Sequence, residues 1–77
     1  MKTLIDVRTP AEFQAGNVPG SINIPLNEIP QRLDEIRAIQ GPIDLCCLSG
    51  GRSGQATAYL RAQGIECNNA GGWMSNL

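Results

Sequence analysis

The stretch Ile43-Asp44-Leu45-Cys46-Cys47-Leu48-Ser49-Gly50-Gly51-Arg52-Ser53-Gly54 constrains this chain more than any other. Ile43 to Cys46 is a short apolar run that reads as a strand. Ser53 to Gln63 reads as a helix, with Ala56, Tyr59, Leu60 and Gln63 on one side and Gly64 as its stop. Between them lie a cysteine, two glycines and an arginine. A strand, a tight loop and a helix start in succession point the free N–H groups of the loop and first helical turn at one spot. The positive helix end favours a thiolate there. The rest of the chain reads as scaffold for this loop.

Thr3-Leu4-Ile5-Asp6-Val7 is short, apolar and β-branched, so it reads as a buried strand. Thr9-Pro10-Ala11-Glu12 is a helix start, with Thr9 as N-cap, Pro10 at the first helical position and Glu12 completing a capping box. That helix is short, because Gly16-Asn17 and Pro19-Gly20 follow, and Phe13 is expected to face the core. Ser21-Ile22-Asn23-Ile24 alternates as a second strand and stops at Pro25. Asn27 is a candidate cap for an amphipathic helix with Pro30 in its first turn and Ile29, Leu33, Ile36 and either Ile39 or Gln40 at helical spacing. Gly41-Pro42 ends it. Ile65-Glu66-Cys67-Asn68 reads as a fourth strand, and Ala70-Gly71-Gly72-Trp73 as a last turn or short helix. Strands alternating with helices predict an α/β fold: a small open sheet of about four mainly parallel strands flanked by helices. Functional loops of such sheets lie beyond the carboxyl ends of the strands, where the Cys47 loop falls.

Seventy-seven residues predict one domain, residues 1–77. A net charge of −1 without a basic block argues against nucleic-acid binding. No apolar run approaches the roughly 18 residues that span a bilayer, and no signal-peptide pattern is visible. Three cysteines, an odd count, fit free thiols in a reducing compartment, so a cytoplasmic home is expected. An export signal already removed would place the protein in the periplasm instead. The absence of histidine removes Cys–His and Ser–His–Asp catalysis and most zinc sites. No metal or other cofactor is expected. A nucleophile here must be activated by backbone, helix dipole or arginine.

Four ordered pieces then carry a resemblance: Leu4-Ile5-Asp6-Val7-Arg8 with Glu12-Phe13; Val18 to Pro25; Cys47 to Ala56; and Asn69-Ala70-Gly71-Gly72-Trp73. Together they span nearly the whole chain. It resembles the rhodanese-like sulfurtransferases, and is similar to small single-domain bacterial members of the phage-shock type. The resemblance implies that Cys47 takes up a sulfane sulfur as a persulfide, cradled by the amides of residues 48 to 53. The implied donor is a small sulfur-containing anion, thiosulfate or a polysulfide. The implied acceptor is cyanide or a cellular thiol. No nucleic acid or membrane partner is implied, and a monomer is expected. The sequence departs from many relatives at Leu48, where those specialised for thiosulfate carry a basic residue, and at Asn17, where many carry a histidine. It is also short at both ends, so part of the sheet edge is expected to be missing or supplied by a partner.

Within this frame Cys47 is the candidate nucleophile, and Leu48, Ser49, Gly50, Gly51, Arg52 and Ser53 form the binding loop. Ser49 and Ser53 offer hydroxyl donors, with an N-cap as the other reading of Ser53. Arg52 is a candidate anion attractor at the loop mouth, the alternative being a solvated arginine. Asp6 and Arg8 read as a tie between loops, with anion attraction the second reading of Arg8. Cys46 has the opposite strand phase and reads as a core side chain. Counted from Cys46, however, the spacing to Arg52-Ser53 is that of C-x5-R-S phosphatases, so a Cys46 phosphatase is an alternative function. A non-catalytic sulfur carrier is the other. Cys67 reads as core, or as a thiol that resolves oxidised Cys47. Trp73 reads as a core lid.

Overall fold

A computed structural model describes residues 2–77. Its elements are β1 (Thr3–Asp6), α1 (Pro10–Ala15), β2 (Ile22–Asn23), a 3-10 segment (Leu26–Arg32) continuing into α2 (Leu33–Arg37), β3 (Ile43–Cys47), α3 (Gly51–Ala62), β4 (Asn68–Gly72) and a closing 3-10 turn (Trp73–Asn76). The four strands form one sheet in the order β2-β1-β3-β4. Every neighbouring pair is parallel, in line with the expected α/β architecture.

Strand periodicity sorts the side chains. Ile5 and Val7 of the first strand segment and Ile43, Leu45 and Cys47 of β3 share the main apolar cluster. Ile29 and Ile36 from the segment after β2, and Ala56 and Leu60 from α3, close that cluster from one side. Leu33, Ile39 and Tyr59 pack on it partly buried. Phe13 is half-buried rather than core.

The start of α1 is as the sequence dictates. Thr9 caps Glu12 N–H and Glu12 caps Thr9 N–H, with Pro10 in the first turn. The end of α3 is equally legible. Gly64 has φ +82°, its N–H reaches Arg61 carbonyl, and Ile65 N–H reaches Leu60 carbonyl at 3.0 Å, a Schellman closure.

Three boundaries differ from expectation. The chain between Leu26 and Arg37 is mostly 3-10 rather than one α-helix, and Pro25, not Asn27, precedes it. Pro30 has no N–H for an α-helical ladder, which suits the shorter 3-10 path. α3 begins at Gly51, two residues early, because Gly50 in the left-handed conformation (φ +105°) turns the chain abruptly out of β3. Ser53 is therefore inside the helix and is not its N-cap. Finally, the fourth strand is Asn68–Gly72 rather than Ile65–Asn68. Ile65 and Cys67 alternate inward as read, but the ladder with β3 starts only at Asn68 opposite Asp44. The same strand absorbs Ala70-Gly71-Gly72, expected as a turn. Its irregular register skips Ala70, pairing Asn69 with Leu45 and Gly71 with Cys46.

Candidate active site

β3 delivers Cys47 to the carboxyl edge of the sheet, and the chain then folds back over it. Cys47 is 1% exposed. Its Sγ accepts the Gly50 N–H at 3.0 Å and lies 3.4 Å from Ser53 Oγ. Burial acts to raise the Cys47 pKa. The Ser53 hydroxyl and the N–H groups of Ser53, Gly50 and Ser49 act the other way and win, bringing it down to about 7. The loop thus supplies the donors that the missing histidine does not. Leu48 and Ser49 lie exposed, Gly50 and Arg52 are part-buried, and Gly51 opens α3 in solvent.

Ser53 is held by a residue to which the sequence reading gave no role. Ser53 Oγ lies 2.6 Å from Asn69 Oδ1, which also accepts Gly71 N–H at 3.0 Å. Asn69 Nδ2 donates to the Gly50 carbonyl at 3.0 Å. One side chain on edge strand β4 thereby fixes Gly50, Ser53 and its own strand. Asn69 stands in the Asn-Ala-Gly-Gly-Trp motif, but its reach across to the loop is a tertiary contact that spacing does not encode. Gly72, further along β4, leaves no room for a side chain, since a Cβ there would sit 2.8 Å from Leu48 carbonyl oxygen. Asn69→Ala is expected to lower stability by about 1–3 kcal/mol and to speed amide exchange at Gly50–Ser53. A urea melt and hydrogen exchange measure both, and an unchanged pair of results would remove Asn69 from this role.

The adjacent cysteine sits elsewhere. Cys46 is 0% exposed, in register with Asp6 on the opposite face from Cys47, and outside the main apolar cluster. The expectation of a buried core side chain holds, with Asp6 and Arg8 among the charged groups that act on it. Burial, then the Asp6 carboxylate, push its pKa up to about 11. A neutral, enclosed thiol without loop amides is poorly placed for the C-x5-R-S phosphatase reading.

Asp6 and Arg8 form a buried pair at the end of β1. Arg8 Nη2 lies 2.7 Å from Asp6 Oδ2, and Nε lies 3.0 Å from both carboxylate oxygens. The same guanidinium donates to the carbonyls of Glu12 (3.3 Å) and Gly16 (2.7 Å), and packs 4.6 Å from the Trp73 ring centre. Arg8 thus knots β1, α1 and the closing turn. Its side chain is 4% exposed, so attraction of an incoming anion does not fit this geometry. Trp73 is half-buried over this knot and leaves Gly16 no room for a Cβ.

Arg52 reaches across the mouth to Glu12, with Nη1 2.7 Å from Oε1 and Nη2 3.0 Å from Oε2. Cys67 is buried at the other end of the sheet. It precedes Asn68, which pairs with Asp44, so it lies at the level of Ile43, four residues below Cys47. At about 3.3 Å per residue that is roughly 13 Å, beyond the roughly 7 Å between Cα atoms that a disulfide tolerates. The resolving-thiol reading of Cys67 is set aside. Its pKa is raised by burial. Among the described residues no cluster of three or more His, Cys, Asp or Glu is placed to hold a metal, and no helix is long and apolar enough to cross a membrane.

These shifts give a pH prediction. Iodoacetamide should alkylate Cys47 with a midpoint near the pKa of about 7, while Cys46 and Cys67 stay inert until far higher pH. Ser53→Ala should move the midpoint up by roughly one unit. A lowered folded-state pKa also means that the thiolate's contribution to folding is full above the ordinary thiol pKa and is lost as pH falls through about 7. A wild-type alkylation midpoint near 9 would show that the loop donors do not act on the sulfur.

The comparisons with known proteins agree with this fold. A family model described as a rhodanese-like domain matches residues 1–75. The chain is 44% identical over 61 residues to a sulfurtransferase of Allochromatium vinosum, covering 79% of this chain and 56% of that protein. It is 39% identical over 70 residues to the thiosulfate sulfurtransferase PspE of Escherichia coli, covering 88% of this chain and 67% of that protein. A solved structure titled as a rhodanese with anions from E. coli superposes with a TM-score of 0.84 at 36% identity, covering 96% of this chain and 89% of the other. The chain spans about half the length of some curated relatives it matches, 48% of one from Bacillus subtilis and 56% of the Allochromatium protein. With its parallel sheet and its cysteine loop at the carboxyl edge, this chain belongs to the rhodanese-like domain family.

Proposed function

We propose that the protein is a sulfurtransferase that carries a sulfane sulfur on Cys47 as a persulfide. The observation that carries this reading is the Cys47 sulfur itself: enclosed, hydrogen-bonded by Gly50 N–H at 3.0 Å, and close to Ser53 Oγ. A thiolate there attacks the outer sulfur of a donor such as thiosulfate or a polysulfide. The new S–S bond forms on Cys47 while the donor's S–S bond breaks, and sulfite or a shortened polysulfide leaves with the electron pair. The loop amides stabilise the resulting persulfide anion, each charge-assisted bond contributing about 1.5–3 kcal/mol. A thiophilic acceptor, cyanide or a thiol, then takes the outer sulfur and regenerates the Cys47 thiolate. No cofactor enters either half-reaction.

The test is steady-state formation of thiocyanate from thiosulfate and cyanide. Turnover supports an enzyme. Loading of about 32 Da without turnover supports a sulfur carrier that discharges only to a dedicated acceptor. Neither loading nor turnover with any sulfane donor would contradict both.

A further inference from the structure

The charges around the loop mouth bear on which donor the site accepts. Six cationic side chains exist in the chain. Lys2 pairs with Asp44, and Arg32 pairs with Glu28 and Glu35. Arg37 closes α2, which leads toward the start of β3, and Arg61 closes α3 beside Cys67 and Asn68. Among the described residues, only Arg8 and Arg52 of these cations lie at the carboxyl edge. Arg8 is buried against Asp6. Arg52 is gripped on both of its terminal nitrogens by Glu12. Glu12 is in turn fixed by Thr9 N–H at 2.9 Å and by Thr9 Oγ1 at 3.1 Å. Bonding to Arg52 first, and then to Thr9, holds its carboxyl down to about 2, so it stays ionised across the working range. The residue that follows Cys47 is an uncharged one, Leu48, 59% exposed.

We propose that Glu12 is a specificity-determining residue: by occupying Arg52 it disfavours the thiosulfate dianion and leaves the loop suited to low-charge organic persulfides. The proposal rests on Cys47 being the sulfur-accepting thiolate. Charge balance shows why the pair matters. With thiosulfate, Cys–S⁻ and S–SO₃²⁻ give Cys–S–S⁻ and SO₃²⁻, so three negative charges share the transition state. With an organic persulfide in its protonated form, Cys–S⁻ and R–S–SH give Cys–S–SH and R–S⁻ with only one negative charge in the transition state, and the new persulfide then gives up its proton to become the anion that the loop holds. In both, the thiolate forms the new S–S bond while the donor's S–S bond breaks toward the leaving group. Asp6, Glu12 and the Cys47 thiolate set against Arg8 and Arg52 leave the region at a net −1. That field repels a dianion and barely affects a neutral donor.

The experiment is single-turnover loading of Cys47, followed by intact mass, with thiosulfate and with 2-hydroxyethyl persulfide as donors. Glu12→Gln keeps an oxygen for the Thr9 cap and removes the charge. It should shift the ratio of the two loading rates toward thiosulfate by about tenfold. Alkylation of Cys47 by uncharged iodoacetamide checks that the loop is intact. A second measurement needs no variant: on the wild-type protein, added salt should speed thiosulfate loading, because it screens like charges. An unshifted ratio, or thiosulfate loading that slows with salt, would overturn the role of Glu12 while leaving the Cys47 reading in place. Failure of both donors to load the wild-type protein would overturn the Cys47 reading itself.

Discussion

Cys47→Ser is expected to reduce sulfur transfer by about 10³-fold or more. A serine hydroxyl is not ionised by a few amide donors, and oxygen offers no S–S bond to form. The loop contributes only the means to hold a sulfur anion, so no second group remains to do the chemistry. The neighbouring replacement separates the two cysteines. Cys46→Ser alters a buried side chain facing Asp6 and leaves the Gly50 and Ser53 contacts to Cys47 untouched. It should cost stability but retain loading. Thiocyanate formation by both variants, corrected for the folded fraction, checks this. Equal activity in Cys47→Ser and the wild type would move the nucleophile elsewhere. A phosphate-ester assay dependent on Cys46 would instead favour the phosphatase reading.

Arg8→Ala is the replacement expected to damage the fold most. It leaves the Asp6 carboxylate, 0% exposed, without its guanidinium. Breaking a buried ion pair from one side costs about 3–5 kcal/mol. It also removes the donors to the Glu12 and Gly16 carbonyls and the contact with Trp73. A domain of this size has a total stability of only about 5–10 kcal/mol. At about 4–8 °C per kcal/mol for a small domain, the melting temperature should fall by at least about 12 °C. Trp73 fluorescence should change with it, since the indole loses the charge stacked on it. Thermal melts followed by circular dichroism and fluorescence measure the effect. A loss below about 1 kcal/mol would show that the pair acts like a surface salt bridge. Replacing Asp6 and Arg8 together by apolar residues should recover part of the loss, because no lone charge is then stranded.

These two clusters show what the sequence carries and where it stops. β1 and β3 were legible from their short apolar runs, and the Thr9–Glu12 capping box and the Gly64 helix stop because each rests on contacts within a few residues. β4 was displaced because Asn and Gly are poor strand formers, and its pairing is dictated by β3 rather than by its own side chains. The start of α3 was misplaced by two residues because the left-handed Gly50 determines it, and that conformation is not written in residue type alone. The difference bears on the site, because a helix that starts at Gly51 removes the cap reading of Ser53 and leaves its reading as a hydroxyl beside Cys47. Asn69 was hidden for a similar reason, since its three partners lie up to 19 residues away in the chain. The separation of Cys46 from Cys47 was readable from strand phase, but the placing of Cys46 beside Asp6 depends on the β1–β3 register. Arg52 was read as free because Glu12 lies 40 residues earlier.

The most direct test of the central claim is intact mass after a short exposure to a sulfane donor, for wild type, Cys46→Ser and Cys47→Ser. Wild type and Cys46→Ser should each gain about 32 Da, one sulfur atom, and lose it on addition of cyanide. Cys47→Ser should gain nothing. A persistent gain in Cys47→Ser, or a gain lost only in Cys46→Ser, would contradict the account.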